Sequence, residues 1–321
     1  MRRFVVSAVV ALWLGLLIIP LTVFAIDSSS AIQAPLAVRS LLLGGCVKDN
    51  NVWVVGERGH IMISTDLGAN WAQAESVPSQ ATLTSVYFIN DRLGWAVGHE
   101  AVVLRTLDGG QNWQKIFSAP ELDQPLLDVW FENTKHGIAI GAYGYFLETF
   151  DGGENWKSRY ISEDDWHLNG LGRLKNGKLF IVGEAGSVYR SLDNGVSWTT
   201  LATPYEGSFH GILPLDGDSL VIFGLRGHIY RSDDAGNSWQ ELKSGVEALL
   251  TGATLLGDGR LVLTGVAGTV LISNLNITKF TTLAVPDRRS LAGVIHTGKS
   301  LTIFGKGGIT TLAIPELDTN D

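Results

Sequence analysis

Cysteine, clustered histidine and basic charge are scarce in this sequence, and each scarcity excludes a class of protein. The single Cys46 rules out a disulfide within the chain. Charged residues make up 17% of the chain and the net charge is −8, so the basic surface that a nucleic-acid-binding protein needs is missing. The seven histidines are scattered, and neither a G-x-x-x-x-G-K-S/T loop nor a G-x-S-x-G motif occurs. We therefore expect no nucleic-acid partner, no metal site and no small-molecule cofactor.

Glycine and tryptophan, in contrast, are abundant. The 321 residues include 38 glycines and 10 tryptophans, and 45% of the chain is hydrophobic. A chain of this length can bury a sizeable core, and this composition is typical of a turn-rich β protein with aromatic packing.

The N-terminus has the features of an export signal. Arg2 and Arg3 precede an apolar run over residues 4–25, and Ala25 fits the small-residue pattern of a cleavage site. The run is also long enough to span a bilayer as an uncleaved anchor, although Pro20 would bend it. We expect a signal peptide or an N-terminal membrane anchor over residues 1–25, and in both cases an exported domain.

A pattern of eight residues, S/T-x-D-x-G-x-x-W, occurs five times at a spacing of about 40 residues. Its acids and tryptophans are Asp66, Asp108, Asp151, Asp193 and Asp234, and Trp71, Trp113, Trp156, Trp198 and Trp239. A short apolar strand that ends in glycine precedes each copy and occurs twice more after the last one. The seven glycines are Gly56, Gly98, Gly141, Gly183, Gly224, Gly265 and Gly305.

Each copy contains four strand-sized segments, such as "TSVYFI", "GWAVG", "VVLRT" and "WQKIF" in the second. Four short strands in a repeat of about 40 residues predict one blade of a β-propeller. The sequence thus predicts an all-β, seven-bladed β-propeller over residues 36–314 with a C-terminal tail at 315–321. Because the seventh copy lacks a strand, we expect residues 31–38 to pair with the last blade and close the ring. Residues 26–35 would then be a linker and the start of that closing strand.

The repeated acid is predicted to shape a turn between the third and fourth strands of its blade. A short carboxylate there accepts hydrogen bonds from backbone N–H groups of its own turn, and the glycine supplies a positive φ. The tryptophan packs against its own or the neighbouring blade. Acids spread around a ring cannot converge on one substrate, so we expect the five to be structural.

These strings resemble the Asp-box, or BNR, repeat, which occurs in sialidases, sortilin-type receptors and photosystem II stability/assembly factors. The last family is the most similar, because it shares a longer pattern that "GEAGSVYRSLDNGVSW" at 183 and "GLRGHIYRSDDAGNSW" at 224 follow nearly throughout. The resemblance covers residues 36–314. It implies an exported, non-enzymatic propeller that binds a newly made membrane subunit and helps to assemble a membrane protein complex.

The resemblance also implies an arginine-rich contact surface. The arginine of the family pattern is matched by Arg105, Arg190 and Arg231, whereas Ile63, Glu148 and Ile272 occupy that position in other blades. Arg58 and Arg226 lie in turns between second and third strands, which we expect to open on one face, opposite the Asp boxes. We expect the partner-binding residues to be Arg58, Arg105, Arg190, Arg226 and Arg231.

A carbohydrate-active propeller is the alternative function, either a sialidase-like glycoside hydrolase or a glycan-binding module. Such a hydrolase needs paired carboxylates, and Glu163, Asp164 and Asp165 in "SEDDW" are the candidates. They are equally accounted for by an exposed acidic loop, and the start of the chain has no F-R-I-P-like string. We therefore expect no catalytic residues.

The central channel is a further candidate for binding. Counting back from each glycine strand places His210 in the innermost strand, near the level of Ser85, Asp128, Asn169 and Thr251. Such a ring could bind a small polar group or an ion, although a solvated channel wall is the simpler interpretation.

Taken together, the residues and the resemblance predict a monomeric assembly or scaffolding factor for a membrane protein or membrane protein complex. Its compartment is expected to be the periplasm, or the thylakoid lumen if the organism is photosynthetic, with residues 4–25 as a membrane tether if they are retained.

Overall fold

The computed structural model describes residues 29–285 and 287–316. The predicted signal or anchor over 1–25, residues 26–28 of the linker and residues 317–321 of the tail lie outside the described residues. Within the described ranges, no helix is long and apolar enough to cross a membrane.

The described chain is an all-β, seven-bladed β-propeller, in which each blade is one antiparallel sheet whose strands follow in chain order from the centre outwards. Blades one to three contain β1 (Leu42–Lys48), β2 (Asn51–Gly56), β3 (Ile61–Ser64) and β4 (Ala72–Gln73); β5 (Leu83–Phe88), β6 (Gly94–Gly98), β7 (Val103–Thr106) and β8 (Trp113–Phe117); and β9 (Leu126–Phe131), β10 (Gly137–Gly141), β11 (Phe146–Thr149) and β12 (Lys157–Arg159). Blades four and five contain β13 (Leu168–Arg173), β14 (Leu179–Gly183), β15 (Val188–Ser191) and β16 (Thr199–Thr200); and β17 (Phe209–Pro214), β18 (Leu220–Gly224), β19 (Ile229–Ser232) and β20 (Gln240–Leu242). Blades six and seven contain β21 (Leu250–Leu255), β22 (Leu261–Gly265), β23 (Val270–Ser273) and β24 (Phe280–Thr282); and β25 (Leu291–His296), β26 (Ser300–Gly305) and β27 (Gly308–Ala313).

Short 3-10 turns are the helical elements of the described chain. They are η1 (Ala37–Arg39), η2 (Glu57–Gly59), η3 (His99–Ala101), η4 (Pro120–Leu122), η5 (Ala142–Gly144), η6 (Leu225–Gly227) and η7 (Val266–Gly268). All but η1 and η4 connect the second strand of a blade to its third.

The hydrophobic core is divided into clusters between neighbouring blades, because each sheet buries both of its faces. Between blades one and two, Trp53 stacks on Phe88 with ring centroids 3.6 Å apart. Trp95 repeats this contact with Phe131 between blades two and three at 3.5 Å. Each of these buried indoles also donates a hydrogen bond to a backbone carbonyl of the next blade, so the polar N–H is satisfied as well.

The ring closes by face-to-face packing of blades seven and one. Val52, Val54 and Met62 of blade one form one cluster with Ile295 and Phe304 of blade seven. Apolar contact between the two end blades therefore completes the circle.

The predicted closing strand over residues 31–38 is not a strand in the structure. Blade seven has three strands, and within the described ranges no segment forms a ladder with the outer edge of β27. The chain turns at Pro35, a residue without a backbone N–H to donate, and then enters η1. The strand part of that prediction was wrong: residues 31–34 are hydrogen-bonded to blade one, and the chain turns at Pro35 and Leu36.

Residues 29–39, the N-terminal strap, nevertheless lie between the two end blades. The Ala31 N–H donates to Val77 O at 2.9 Å, and the Ala34 N–H donates to Gln73 Oε1 at 2.9 Å, so the strap is hydrogen-bonded to blade one. At its other end, the backbone of Val38 and Arg39 packs closely against Gly308, the first residue of β27 in blade seven. The strap thus spans the junction without extending either sheet.

Candidate functional site

The ring has two ends of different composition. The turns between second and third strands lie at one end, the turn face, together with the loops that lead from one blade to the next; the Gly59 N–H, for example, donates to Ala81 O at 3.1 Å. The Asp boxes lie at the opposite end, the box face, beside the turns between first and second strands, where the Gly109 N–H donates to Arg92 O at 2.9 Å. A partner therefore meets variable loops at one end and repeated turns at the other.

Each Asp-box acid is hydrogen-bonded within its own turn. Asp108 accepts a hydrogen bond from the Thr106 hydroxyl at 2.9 Å, and from the backbone N–H and side-chain amide of Asn112 at 3.0 Å and 2.9 Å. Thr106 in turn accepts from the Gly110 N–H at 3.0 Å, and Trp113 donates to Gly110 O at 2.8 Å. The carboxylate is thus occupied by donors of the turn that it organises.

The same arrangement recurs at the other four boxes. The acid accepts the backbone N–H four residues later at 2.8 Å for Asp66, 2.9 Å for Asp151, 2.9 Å for Asp193 and 2.8 Å for Asp234. Hydrogen bonds from the side chain and then the backbone of that later residue lower the pKa of each of these four carboxyls to about 2. Trp71 and Trp198 bond to their box glycines, whereas the buried indole nitrogens of Trp156 and Trp239 have no hydrogen-bond partner in the described part.

Acid is expected to destabilise the ring through these boxes. A carboxyl whose folded-state pKa is about 2, against an ordinary 3.8, stabilises the fold above the ordinary value. That stabilisation is lost as the pH falls through the folded-state value. We expect the melting temperature to hold near neutral pH and to fall steadily from about pH 4 to about pH 2. Asp193→Asn, which cannot titrate at this box, should show a smaller fall over that interval, and a flat wild-type profile would contradict the assignment.

Three of the predicted partner-binding arginines lie between blades. Arg105 forms an ion pair with Glu154 at 2.7 Å and donates to Gly152 O, both in the next blade's Asp box. Arg190 donates to Ala235 O at 2.7 Å, again in the following blade's box. Arg231 donates to Asn276 O of blade six at 3.2 Å and pairs with Asp233 at 2.8 Å. The repeated arginine therefore links each of these third strands to the next blade.

Blade three makes the same link with a different residue. Glu148 occupies the arginine position, since it pairs in register with Ile138 as Arg105 pairs with Trp95. Arg159, from the neighbouring strand β12, donates to Glu148 Oε2 at 3.2 Å and to Gly195 O of blade four. The third-strand pattern gave no signal for Arg159, because its role depends on the partner strand.

The other two predicted arginines are exposed on the turn face. Arg58 and Arg226 have φ of 57° and 56°, and Glu100, Tyr143, Ala185 and Ala267 take the same left-handed conformation at the equivalent position. No ion pair or side-chain hydrogen bond of Arg58 or Arg226 is found among the described residues. These turns hold one backbone shape and differ in the side chain that they present.

The ring and its repeated turns match a known protein family. The family model described as photosynthesis system II assembly factor YCF48 matches residues 30–123 and 117–262, which together exceed half of the chain. The chain belongs to this family. No curated protein sequence matches it.

Solved structures share the fold with this YCF48-family protein. A structure described as YCF48 bound to D1 peptide is 22% identical, with a TM-score of 0.71 over 89% of this chain and 96% of that chain. YCF48 from Cyanidioschyzon merolae is 18% identical, with a TM-score of 0.70 over 88% and 98% of the two chains. Virginiamycin B lyase from Staphylococcus aureus is 14% identical, with a TM-score of 0.75 over 89% and 98%. The propeller ring is thus shared with YCF48 proteins and with a lyase.

The channel of this YCF48-family protein has two polar levels rather than one. A β-bulge in each innermost strand turns one residue inwards, and at that level Thr84, Asn169 and Thr251 donate to Leu126 O, Phe209 O and Leu291 O of the next blade. Ser85 and Asp128 lie one residue later, where the other blades have glycine. These side chains border a cavity of about 300 Å³ together with His210.

Asp128 connects three blades at this second level. Its carboxylate accepts from the Ser85 hydroxyl, the Val129 N–H and the Leu171 N–H, each at 2.8 Å. Burial raises the pKa of Asp128 despite these hydrogen bonds, and burial lowers the pKa of His210. Within the described ranges, no group of three or more His, Cys, Asp or Glu side chains could hold a metal ion.

The candidate carboxylates Glu163, Asp164 and Asp165 lie in the turn-face loop between blades three and four. They border a groove of about 420 Å³ with Tyr160 and Ser162. In the described part of the chain no ion pair joins any of the three to an arginine. The structure therefore does not bring the predicted arginines and these acids together.

Proposed function

We propose that this protein is an exported, non-enzymatic assembly factor that holds a subunit of a membrane protein complex on its turn face. The observation that carries the proposal is membership of the YCF48 assembly-factor family. The D1 peptide in the similar YCF48 structure supports a polypeptide ligand for this chain as well. Export is supported by the basic residues and the apolar run at the start of the sequence.

The turn face is proposed as the contact surface because its side chains vary on a fixed backbone. At the equivalent left-handed position it presents Arg58, Glu100, Tyr143 and Arg226, with Ala185 and Ala267 completing the series. On the box face, by contrast, every Asp-box carboxylate is engaged by its own turn. Variable, exposed side chains suit the recognition of a partner better than carboxylates whose hydrogen bonds are already made within their own turns.

Site-specific photocrosslinking in cells tests this proposal. An aromatic photocrosslinker replaces Arg58 or Arg226, positions that tolerate an aromatic side chain because Tyr143 has the same φ. We expect both to crosslink one membrane-protein subunit. The same crosslinker at Asp91, which is exposed on the box face, should not capture that subunit. Equal capture from both faces would contradict the turn-face assignment.

Two further measurements address export and catalysis. Fractionation should place the chain outside the cytoplasm, and recovery of all the protein in the cytoplasm would contradict export.

Purified protein should release no product from sialosides or β-glucans. Turnover that disappears with Asp164→Asn would instead establish the carbohydrate-active function.

A further inference from the structure

Three large aromatic side chains are exposed together on the turn face of blades three and four. Tyr143, Tyr160 and Trp166 expose 50%, 73% and 40% of their surface. They belong to η5 and to the loop that leads from β12 to β13. Exposed aromatic groups of this size, gathered at one place, are typical of interaction sites.

Backbone contacts hold these aromatics on one surface. The Gly144 N–H donates to Trp166 O at 3.0 Å, which fixes the loop against the η5 turn. The rings of Tyr143 and His167 are 4.7 Å apart, and the His167 Nδ1 atom lies 3.0 Å from Glu184 Oε2. We call Tyr143, Tyr160, Trp166 and His167 the aromatic patch. The groove of about 420 Å³ beside Tyr160 continues it.

The charge around the aromatic patch is of one sign. The turn-face turns and loops of blades two to four contain carboxylates and no lysine or arginine: Glu100, Glu121, Asp123, Glu163, Asp164, Asp165, Glu184 and Glu206. The corresponding segments of the other blades hold the acids Glu57, Glu247 and Asp287 and a larger number of basic residues: Arg39, Arg58, Arg226, Lys243, Arg288, Arg289 and Lys306. The turn face therefore has an electronegative half centred on aromatic rings and a mainly basic half.

We propose that the aromatic patch binds a lysine- or arginine-bearing extended segment of the partner. A cation over the face of a tyrosine or tryptophan is attracted by the ring, and the surrounding carboxylates add to that attraction. An anionic lipid surface or a sialic acid would meet repulsion here instead. The inference rests on the proposed function for the turn face as contact surface, and it adds the chemistry of the partner.

Fluorescence anisotropy with defined peptides tests the inference on purified protein. The probe is a labelled peptide of alternating Lys, Gly and Ser, and its counterpart carries Glu in place of Lys. We expect the basic peptide to bind and the acidic one not to bind, with affinity falling as salt is raised. Tyr160→Ala with Trp166→Ala should weaken binding about tenfold while leaving the salt dependence in place.

Charge reversal with a matched control separates local from overall attraction. Glu163→Lys with Asp165→Lys removes two carboxylates of the groove beside the aromatic patch, and neither has a side-chain hydrogen bond or ion pair among the described contacts. Asp91→Lys with Glu247→Lys makes the same net charge change on the box face and on the basic half of the turn face. We expect the affinity for the basic peptide to fall at least tenfold with the first pair of substitutions and to stay nearly unchanged with the second pair.

The outcomes either support the inference or overturn it. Equal losses for the two charge-reversal pairs, or unchanged binding in the aromatic variant, would show general electrostatic attraction and overturn the patch. Binding of a sialoside or of neutral glycan to the patch in place of the peptide would overturn it as well. The photocrosslinking result is independent of these measurements, so the proposed function and this inference fail separately.

Discussion

Gly224→Ala is expected to destabilise the ring by about 3 kcal/mol or more. Gly224 ends strand β18 with a φ of 176°, an extended conformation that any residue adopts, so backbone preference is not the reason. A Cβ at this position would lie 2.8 Å from Phe209 Cα and 2.9 Å from His210 N, and closer still to Ser208 O. These are backbone atoms of the innermost strand, which cannot move aside without breaking its pairing with β18.

Urea denaturation of the variant and a control measures this effect. Gly257→Ala is the matched control, because a Cβ there meets only His296 Cε1 at 3.7 Å and its φ is not in the left-handed region. We expect the control to change stability by less than about 1 kcal/mol. Similar losses for the two variants would mean that the close approach at Gly224 is unimportant. The same crowding occurs at Gly56, Gly98, Gly141, Gly183, Gly265 and Gly305, which accounts for the repeated glycine.

Glu148→Ala is expected to cost about 3 kcal/mol, because it removes the carboxylate that both the Arg159 guanidinium and the His136 ring contact. Glu148 Oε1 lies 3.0 Å from His136 Nε2, and Glu148 Oε2 accepts from Arg159. The His136 Nδ1 atom lies 3.1 Å from Glu132 Oε2, and the Arg159 guanidinium lies over the Phe146 ring at 4.5 Å. Glu148 and His136 are both buried, with 7% and 8% of their surfaces exposed, so water replaces the contact between them poorly.

A double-mutant cycle with Arg159→Ala isolates the pair. If Glu148 and Arg159 act as a pair, Arg159→Ala should lower the free energy of unfolding only slightly further in the Glu148→Ala variant. Glu154→Ala is the control. The Glu154 side chain is 59% exposed, so its ion pair with Arg105 is expected to contribute less than about 1 kcal/mol to stability. Additive losses in the cycle would show that Glu148 and Arg159 act separately.

The ring was predictable because its signals lie within single repeats. The glycine strand, the four strand-sized segments and their period predict seven blades, and the structure confirms the seven-bladed, all-β fold. The family resemblance, which rests on the longer pattern through Arg190 and Arg231, is confirmed by the family match.

Features that depend on neighbouring blades were not predictable in this way. The pattern marks Arg105 but does not show that its side chain reaches the next blade's Asp box, and it gives no reason to notice Arg159. Counting residues along the inner strands placed Ser85 beside Asn169, whereas the strand registers put Thr84 and Asn169 at the bulge position and Ser85 at the position of Gly170, one residue later. The strand missing from the seventh copy led to the prediction of a closing strand over residues 31–38, a segment in which the chain turns at Pro35.

The N-terminal strap makes the ring mechanically unequal around its circumference. A force applied at the start of the domain reaches the strap first, where single hydrogen bonds such as Ala31 N–H to Val77 O and the Gln33 amide to Ala74 O are loaded one after another. Behind it, continuous ladders hold the strands of each blade together, and buried apolar clusters hold neighbouring blades together, so a load is shared among many contacts. A tension on the N-terminus would therefore peel the strap from blade one before any blade separates from its neighbour.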